Sequence, residues 1–120
     1  MSKKPFVLVV EDDDRLRKII AANLGARGYL VFQAGSFNEA VTQLAVGPEL
    51  MILDILLPDA TGWDFAQWAE TVSASVPTIV ISGSKPDRRQ MARFTPTSFL
   101  SKPFDIRQLV ELVEMYLPAA

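Results

Sequence analysis

Five short apolar runs rich in β-branched residues recur along the chain, at Phe6–Val10, Leu30–Gln33, Leu50–Leu53, Thr78–Ile81 and Thr97–Leu100. Each is followed by a stretch with helical spacing, so the pattern predicts five strand-helix units. In the first helix the spacing is carried by Leu16, Ile19, Ile20 and Leu24, in the second by Phe37, Ala40, Val41 and Leu44, and in the last by Ile106, Leu109, Val110 and Val113. Ser36 with Glu39 forms a capping-box pattern and Thr61 with Asp64 a second version of it, which sets two helix starts. Pro48 and Pro77 precede the third and fourth strands, where a missing N–H is tolerated. The fourth helix, expected between Ser84 and Phe94, has the weakest pattern, with only Met91, Ala92 and Phe94 as apolar anchors.

The strand runs are continuously apolar, not alternating, which means that both faces of the sheet are covered. That is the mark of a parallel sheet between helix layers, and five such units predict a doubly wound α/β fold in which strand order 2-1-3-4-5 makes strands one and three neighbours. A chain of 120 residues falls at the usual size of one domain, so residues 1–120 are expected to form a single one.

Composition removes several classes of function. No apolar run approaches the roughly 20 residues of a membrane-crossing helix. Lys3 and Lys4 before Phe6–Val10 imitate a signal peptide, but the run is too short and enters Glu11-Asp12-Asp13-Asp14, so a cytoplasmic location without membrane contact is expected. With no cysteine and no histidine, thiolate and imidazole metal sites are excluded, and any bound metal must be a hard, oxygen-seeking cation. A net charge of −2 offers no electrostatic reason for the domain to bind nucleic acid directly.

Chemistry concentrates at the carboxyl ends of the strands. Read alone, Glu11 to Asp14 is an acidic helix start favoured by the helix dipole. Asp54 changes that weighting, because it interrupts Met51-Ile52-Leu53-Asp54-Ile55-Leu56-Leu57 where an isolated carboxylate would be costly. In the 2-1-3 order Glu11, Asp12 and Asp54 fall together, and a divalent cation such as Mg²⁺ is the natural relief of their repulsion. Ser82 after strand four and Lys102 after strand five add a hydroxyl and a cation at the same edge.

The chain resembles, from end to end, the receiver domain of two-component response regulators, which has a flavodoxin-like fold. The motifs are Val9-Val10-Glu11-Asp12-Asp13, Leu53-Asp54-Ile55-Leu56-Leu57-Pro58-Asp59-Ala60-Thr61-Gly62, Ile81-Ser82-Gly83 and Phe99-Leu100-Ser101-Lys102-Pro103-Phe104, specific in their order and spacing together. The resemblance implies that Asp54 accepts a phosphoryl group from a sensor histidine kinase or phosphotransfer protein, and that the domain is a phosphorylation switch, not an enzyme acting on other substrates. It implies Mg²⁺ held by Asp12, Asp54 and the main-chain carbonyl of Leu56, with Glu11 acting largely through water. It gives Lys102 and Ser82 roles at the phosphoryl oxygens, makes Phe99 the aromatic switch, and suggests a cis bond between Lys102 and Pro103. Association as a monomer or weak dimer is expected, since Thr95-Pro96 replaces the small residues that often precede strand five. Lys85, Arg88, Arg89 and Arg93 read as a solvated basic face. Two alternatives stay open: a haloacid dehalogenase-type phosphohydrolase built on Asp12 and Asp14, although the chain has no room for a cap domain, and a binding-only pseudoreceiver or flavodoxin-type cofactor module, although the acidic cluster would repel a cofactor phosphate.

Overall fold

The computed structural model describes residues 3–57, 61–72, 76–83, 87–93 and 96–119. Strands and helices alternate: β1 (Phe6–Val10), α1 (Asp14–Ala26), β2 (Leu30–Ala34), α2 (Phe37–Leu44), β3 (Leu50–Asp54), α3 (Gly62–Val72), β4 (Thr78–Ser82), α4 (Arg88–Arg93), β5 (Ser98–Ser101) and α5 (Ile106–Tyr116). The strands form one parallel sheet in the order β2-β1-β3-β4-β5. The pattern of apolar runs therefore named every element in its correct place.

Side chains alternate along each strand, and that alternation builds two cores. Val7, Val9, Ile52, Ile79 and Ile81 face one layer with Ile20 and Leu24 of α1 and Leu109, Val110 and Val113 of α5. Leu8, Val10, Met51 and Leu53 face the other with Ala40 and Leu44 of α2 and Phe65, Ala66 and Ala69 of α3. The three inner strands are buried at every position, whereas β2 and β5, at the edges, are only partly covered. A third, smaller cluster of Ile55, Trp63 and Val80 lies toward α4, with Met91 and Phe99 packed against it.

The ladder does not stop where hydrophobicity stops. β2, β3 and β4 each run one residue beyond the apolar run, to Ala34, Asp54 and Ser82, so the last two polar residues sit within the sheet itself. Strand β5 begins at Ser98, one residue later than its run, with Thr97 tied to Thr78 at the start of β4: its amide donates to the Thr78 carbonyl at 2.9 Å and its Oγ1 accepts from the Thr78 amide at 3.0 Å.

The helix starts follow the capping pattern. Ser36 accepts from the Glu39 amide at 3.1 Å, and Thr61 and Asp64 bond reciprocally, each amide at 3.1 Å from the other's side chain. Two further boxes escaped the sequence pattern, Asp105 with Gln108 at α5 and Asp87 with Gln90 at α4. The latter gives α4 a defined start despite its few apolar residues. The described α4 covers only Arg88–Arg93; Ser84, Lys85, Pro86 and Phe94, at the ends of the expected span, lie outside the described residues, as do Thr95 and Pro58, Asp59 and Ala60 of the β3–α3 motif. No helix among the described residues is long and apolar enough to cross a membrane.

Candidate functional site

Sheet register brings the polar strand ends together. Val10 pairs with Leu53, so Glu11 emerges beside Asp54. Asp54 pairs with Ile81, Ser82 pairs with Ser101, and Lys102 follows at once, its amide donating to the Ser82 carbonyl at 2.7 Å. Four residues remote in sequence thus share one rim of the sheet. Glu11, Asp54 and Ser82 are buried, with 1%, 5% and 3% of their surface exposed.

Lys102 ties this rim together. Its Nζ donates to Glu11 Oε1 at 2.7 Å and to Asp54 Oδ2 at 3.1 Å. The remaining oxygens are met by main chain, Glu11 Oε2 accepting from the Asp13 amide at 2.9 Å and Asp54 Oδ1 from the Leu56 amide at 3.3 Å. One ammonium nevertheless faces two buried carboxylates. Burial, reinforced by Asp54, pushes the Glu11 carboxyl above its ordinary range in spite of the lysine. Burial pulls the Lys102 ammonium down, but the two carboxylates more than offset it and hold its pKa above the usual value. The rim thus carries excess negative charge and an all-oxygen set of anionic donors, chemistry that fits a hard divalent cation such as Mg²⁺.

The acidic run of β1–α1 divides between two tasks. Glu11 belongs to the site. Asp13 caps α1, accepting from the Leu16 amide at 3.1 Å, and Asp14 in the first turn pairs with Arg17 and, at 2.8 Å, with Lys18. Asp12, between them, is exposed. Among the described residues, therefore, no three carboxylates converge as a ready metal cluster; the tight group is Glu11, Asp54 and Lys102, with Asp12 adjacent in the loop. An Asp12/Asp14 pair of the phosphohydrolase kind is not assembled, because Asp14 is committed to the helix.

Of the remaining expected residues, Leu56 is 73% exposed at the rim while its main chain closes on Asp54 and, through a bridge, on Thr61. Phe99 is half-buried against Ile55, Trp63 and Val80, two strands away from Asp54 with β4 between them. The Lys102-Pro103 bond is cis, as the resemblance suggested. Arg88 and Arg89 are exposed, consistent with a solvated face; Lys85 is not described.

Gly62 ends the sequence motif, which does not show why a glycine is required there. Its amide donates to the Ile55 carbonyl at 2.5 Å, and a Cβ there would overlap the main-chain oxygen of Asp54. Only glycine lets α3 begin this close to the end of β3. Its signals in the sequence were its place at the end of that motif and directly after the Thr61 cap.

Comparison with known proteins identifies the family. The sequence matches the response regulator receiver domain over residues 7–114, and the chain belongs to that family. It is 35% identical over 106 residues to the KDP operon transcriptional regulatory protein KdpE of Escherichia coli, an alignment covering 86% of this chain and 47% of that protein. It is 33% identical to a probable transcriptional regulatory protein of Picosynechococcus, covering 92% of this chain and 48% of the other. The chain thus spans about half the length of these curated relatives. Among solved structures, chemotaxis protein CheY4 of Vibrio cholerae superposes with a TM-score of 0.88 at 22% identity, covering 96% of this chain and all of that one. Response regulator TrrA of Thermotoga maritima, solved in complex with Mg²⁺-BeF, superposes with a TM-score of 0.83 at 24% identity, covering 94% and 99%. Both likenesses establish the fold, and receiver domains as a class are signalling switches.

Proposed function

We propose that this domain accepts a phosphoryl group on Asp54 from the phosphohistidine of a sensor kinase or phosphotransfer protein, and that the modified domain signals to a partner or output domain. The observation that carries the reading is the buried Asp54 carboxylate at the end of β3, held by Lys102 Nζ at 3.1 Å and sharing that lysine with Glu11. A carboxylate oxygen of Asp54 forms the new bond to phosphorus, the nitrogen–phosphorus bond of the donor breaks, and an acyl phosphate results. Lys102 balances charge on the transferring oxygens. Asp12, Asp54 and the Leu56 carbonyl, with Glu11 beside them, are the residues to hold Mg²⁺, which when bound supplies further neutralisation of those oxygens.

Ser82, at the neighbouring strand end, is the hydroxyl to close on a phosphoryl oxygen, and Phe99 the ring whose packing follows it. The segment 84–97 is the part expected to gain order on phosphorylation, though several of its residues lie outside the described ones. The phosphodonor has a landing surface next to the site: a groove of about 430 Å³ lined by Leu16 and Ile19 of α1 and by Pro103 and Phe104, with Asp13, Arg15 and Lys102 completing its lining. Such a switch works in the cytoplasm beside its kinase, and catalyses only its own phosphorylation and dephosphorylation.

Incubation with acetyl phosphate and Mg²⁺ is expected to add one phosphoryl group, read by mass spectrometry. The same gain in Asp54→Asn would exclude Asp54 as the acceptor. Ser82→Ala should still be phosphorylated while losing most of the change in hydrogen exchange that beryllofluoride induces between residues 87 and 93.

A further inference from the structure

The β1–α1 loop is held by a side chain that the proposed reaction does not use. Arg17, in the second turn of α1 and only 16% exposed, spans three elements. One terminal nitrogen donates to the main-chain carbonyl of Glu11 at 3.1 Å, Nε donates to Gln33 Oε1 at the end of β2 at 3.2 Å, and the other terminal nitrogen pairs with Asp14. The Glu11 amide is itself tied to the Ala34 carbonyl of β2 at 2.9 Å. Both main-chain groups of Glu11 are therefore fixed, one by the sheet and one by Arg17. The carboxylate of the same residue is then free to serve Lys102 and the Asp13 amide. Gly35 makes room for the device: a Cβ there would stand 3.1 Å from the Arg17 guanidinium, tighter than ordinary contact, and its other near neighbours are also side-chain atoms of Arg17 and Glu39.

We infer that Arg17 is a positioning residue for the cation-binding loop, clamping Glu11 through its carbonyl so that the loop from Glu11 to Asp13 presents its carboxylates in one arrangement. The inference rests on the reading that this loop holds Mg²⁺. Partners that orient metal ligands from behind are commonly worth about 10- to 100-fold in metal affinity. A planar guanidinium suits the task, since its fork of donors meets a carbonyl, an amide oxygen and a carboxylate at once, which a single ammonium cannot do.

Charge alone makes the opposite prediction, and this gives the test its sign. Arg17 is a cation near an acidic loop, so if it acted only through its field, removing it would tighten Mg²⁺ binding. If it acts by position, removing it weakens binding. Mg²⁺ titrations of wild type, Arg17→Ala, Arg17→Lys and Gly35→Val, followed by calorimetry and by the amide chemical shift of Asp13, separate the two. Melting in EDTA identifies the temperature at which each variant is folded. The expected order is a loss of about tenfold or more for Arg17→Ala, a smaller loss for Arg17→Lys, and a loss in Gly35→Val, where the charge is kept and only its place is disturbed. Unchanged or tighter Mg²⁺ binding in folded Arg17→Ala would overturn the inference. A wild type that binds no Mg²⁺ would instead overturn the reading on which it rests.

Discussion

The two halves of the sheet's carboxyl rim are built on different physics. On the β1–β3 side, Glu11 and Asp54 are buried charges held at 2.7 and 3.1 Å by one lysine, and the loop behind them is clamped through Arg17. On the β4–β5 side, Trp63 and Val80 meet Met91 and Phe99 by apolar contact, β5 is an edge strand, and the described α4 covers six residues. Charge pairs in a buried rim are intolerant of displacement, because any shift leaves an ion without its partner. Apolar contacts at an edge can exchange one packing for another at little cost. The contrast separates a side suited to chemistry from a side suited to movement.

The largest effect should come from removing the centre of the apolar side. Trp63 is 2% exposed and fills the space between Ile55, Val80, Met91 and Phe99, so Trp63→Ala should cost about 3–5 kcal/mol in urea unfolding. Its indole N–H is buried with no hydrogen-bond partner among the described residues. Trp63→Phe, which keeps the ring and discards that donor, should therefore cost far less than the area lost would suggest. Equal losses in the two variants would mean that the donor is satisfied.

Next in size is Lys102→Met, which strands two buried carboxylates. Breaking a buried pair from one side costs about 3–5 kcal/mol, but Lys102 is 26% exposed and solvent screens part of this, so about 1–3 kcal/mol is expected. Added Mg²⁺ should recover much of that loss. No loss in EDTA would show that the charged half of the rim is less constrained than its geometry suggests.

The same half should have a pH signature in metal-free buffer. Burial and the nearby Asp54 hold the Glu11 carboxyl above its ordinary 4.5, so the folded protein binds this proton more tightly than the unfolded chain does. The contribution of Glu11 is full below about pH 4.5 and is lost as pH rises through the raised value. Lys102, also raised, contributes below its ordinary 10.5 and loses that contribution only above it. Glu11→Gln should flatten the decline of the urea midpoint from pH 4.5 upward; a wild type with no decline would place the carboxyl in a wetter setting.

The smallest effect should be at the start of α4. Asp87 and Gln90 bond reciprocally at 2.9 Å, and Asp87→Ala should cost about 1 kcal/mol or less, seen as faster hydrogen exchange confined to residues 88–93. A change spreading into β1 or β3 would break the separation of the two halves.

By itself the sequence determined the number, type and order of the elements, because continuous β-branched runs such as Leu50–Leu53 and the helical spacing in α1 and α5 are local patterns. It also singled out Glu11, Asp54, Ser82 and Lys102, since a polar residue at the end of an apolar run is conspicuous wherever the chain later goes. Only the tertiary structure decided how these residues share their charges. Lys102 lies 91 positions from Glu11, and no local pattern says that its ammonium will reach that carboxylate at 2.7 Å while Asp12, next in sequence, is exposed. The role of Arg17 and the need for Gly62 were hidden for the same reason. An arginine on α1 reads as one more solvated charge and a glycine at a helix start as a turn, until the sheet register brings the Glu11 carbonyl and the Asp54 main chain against them.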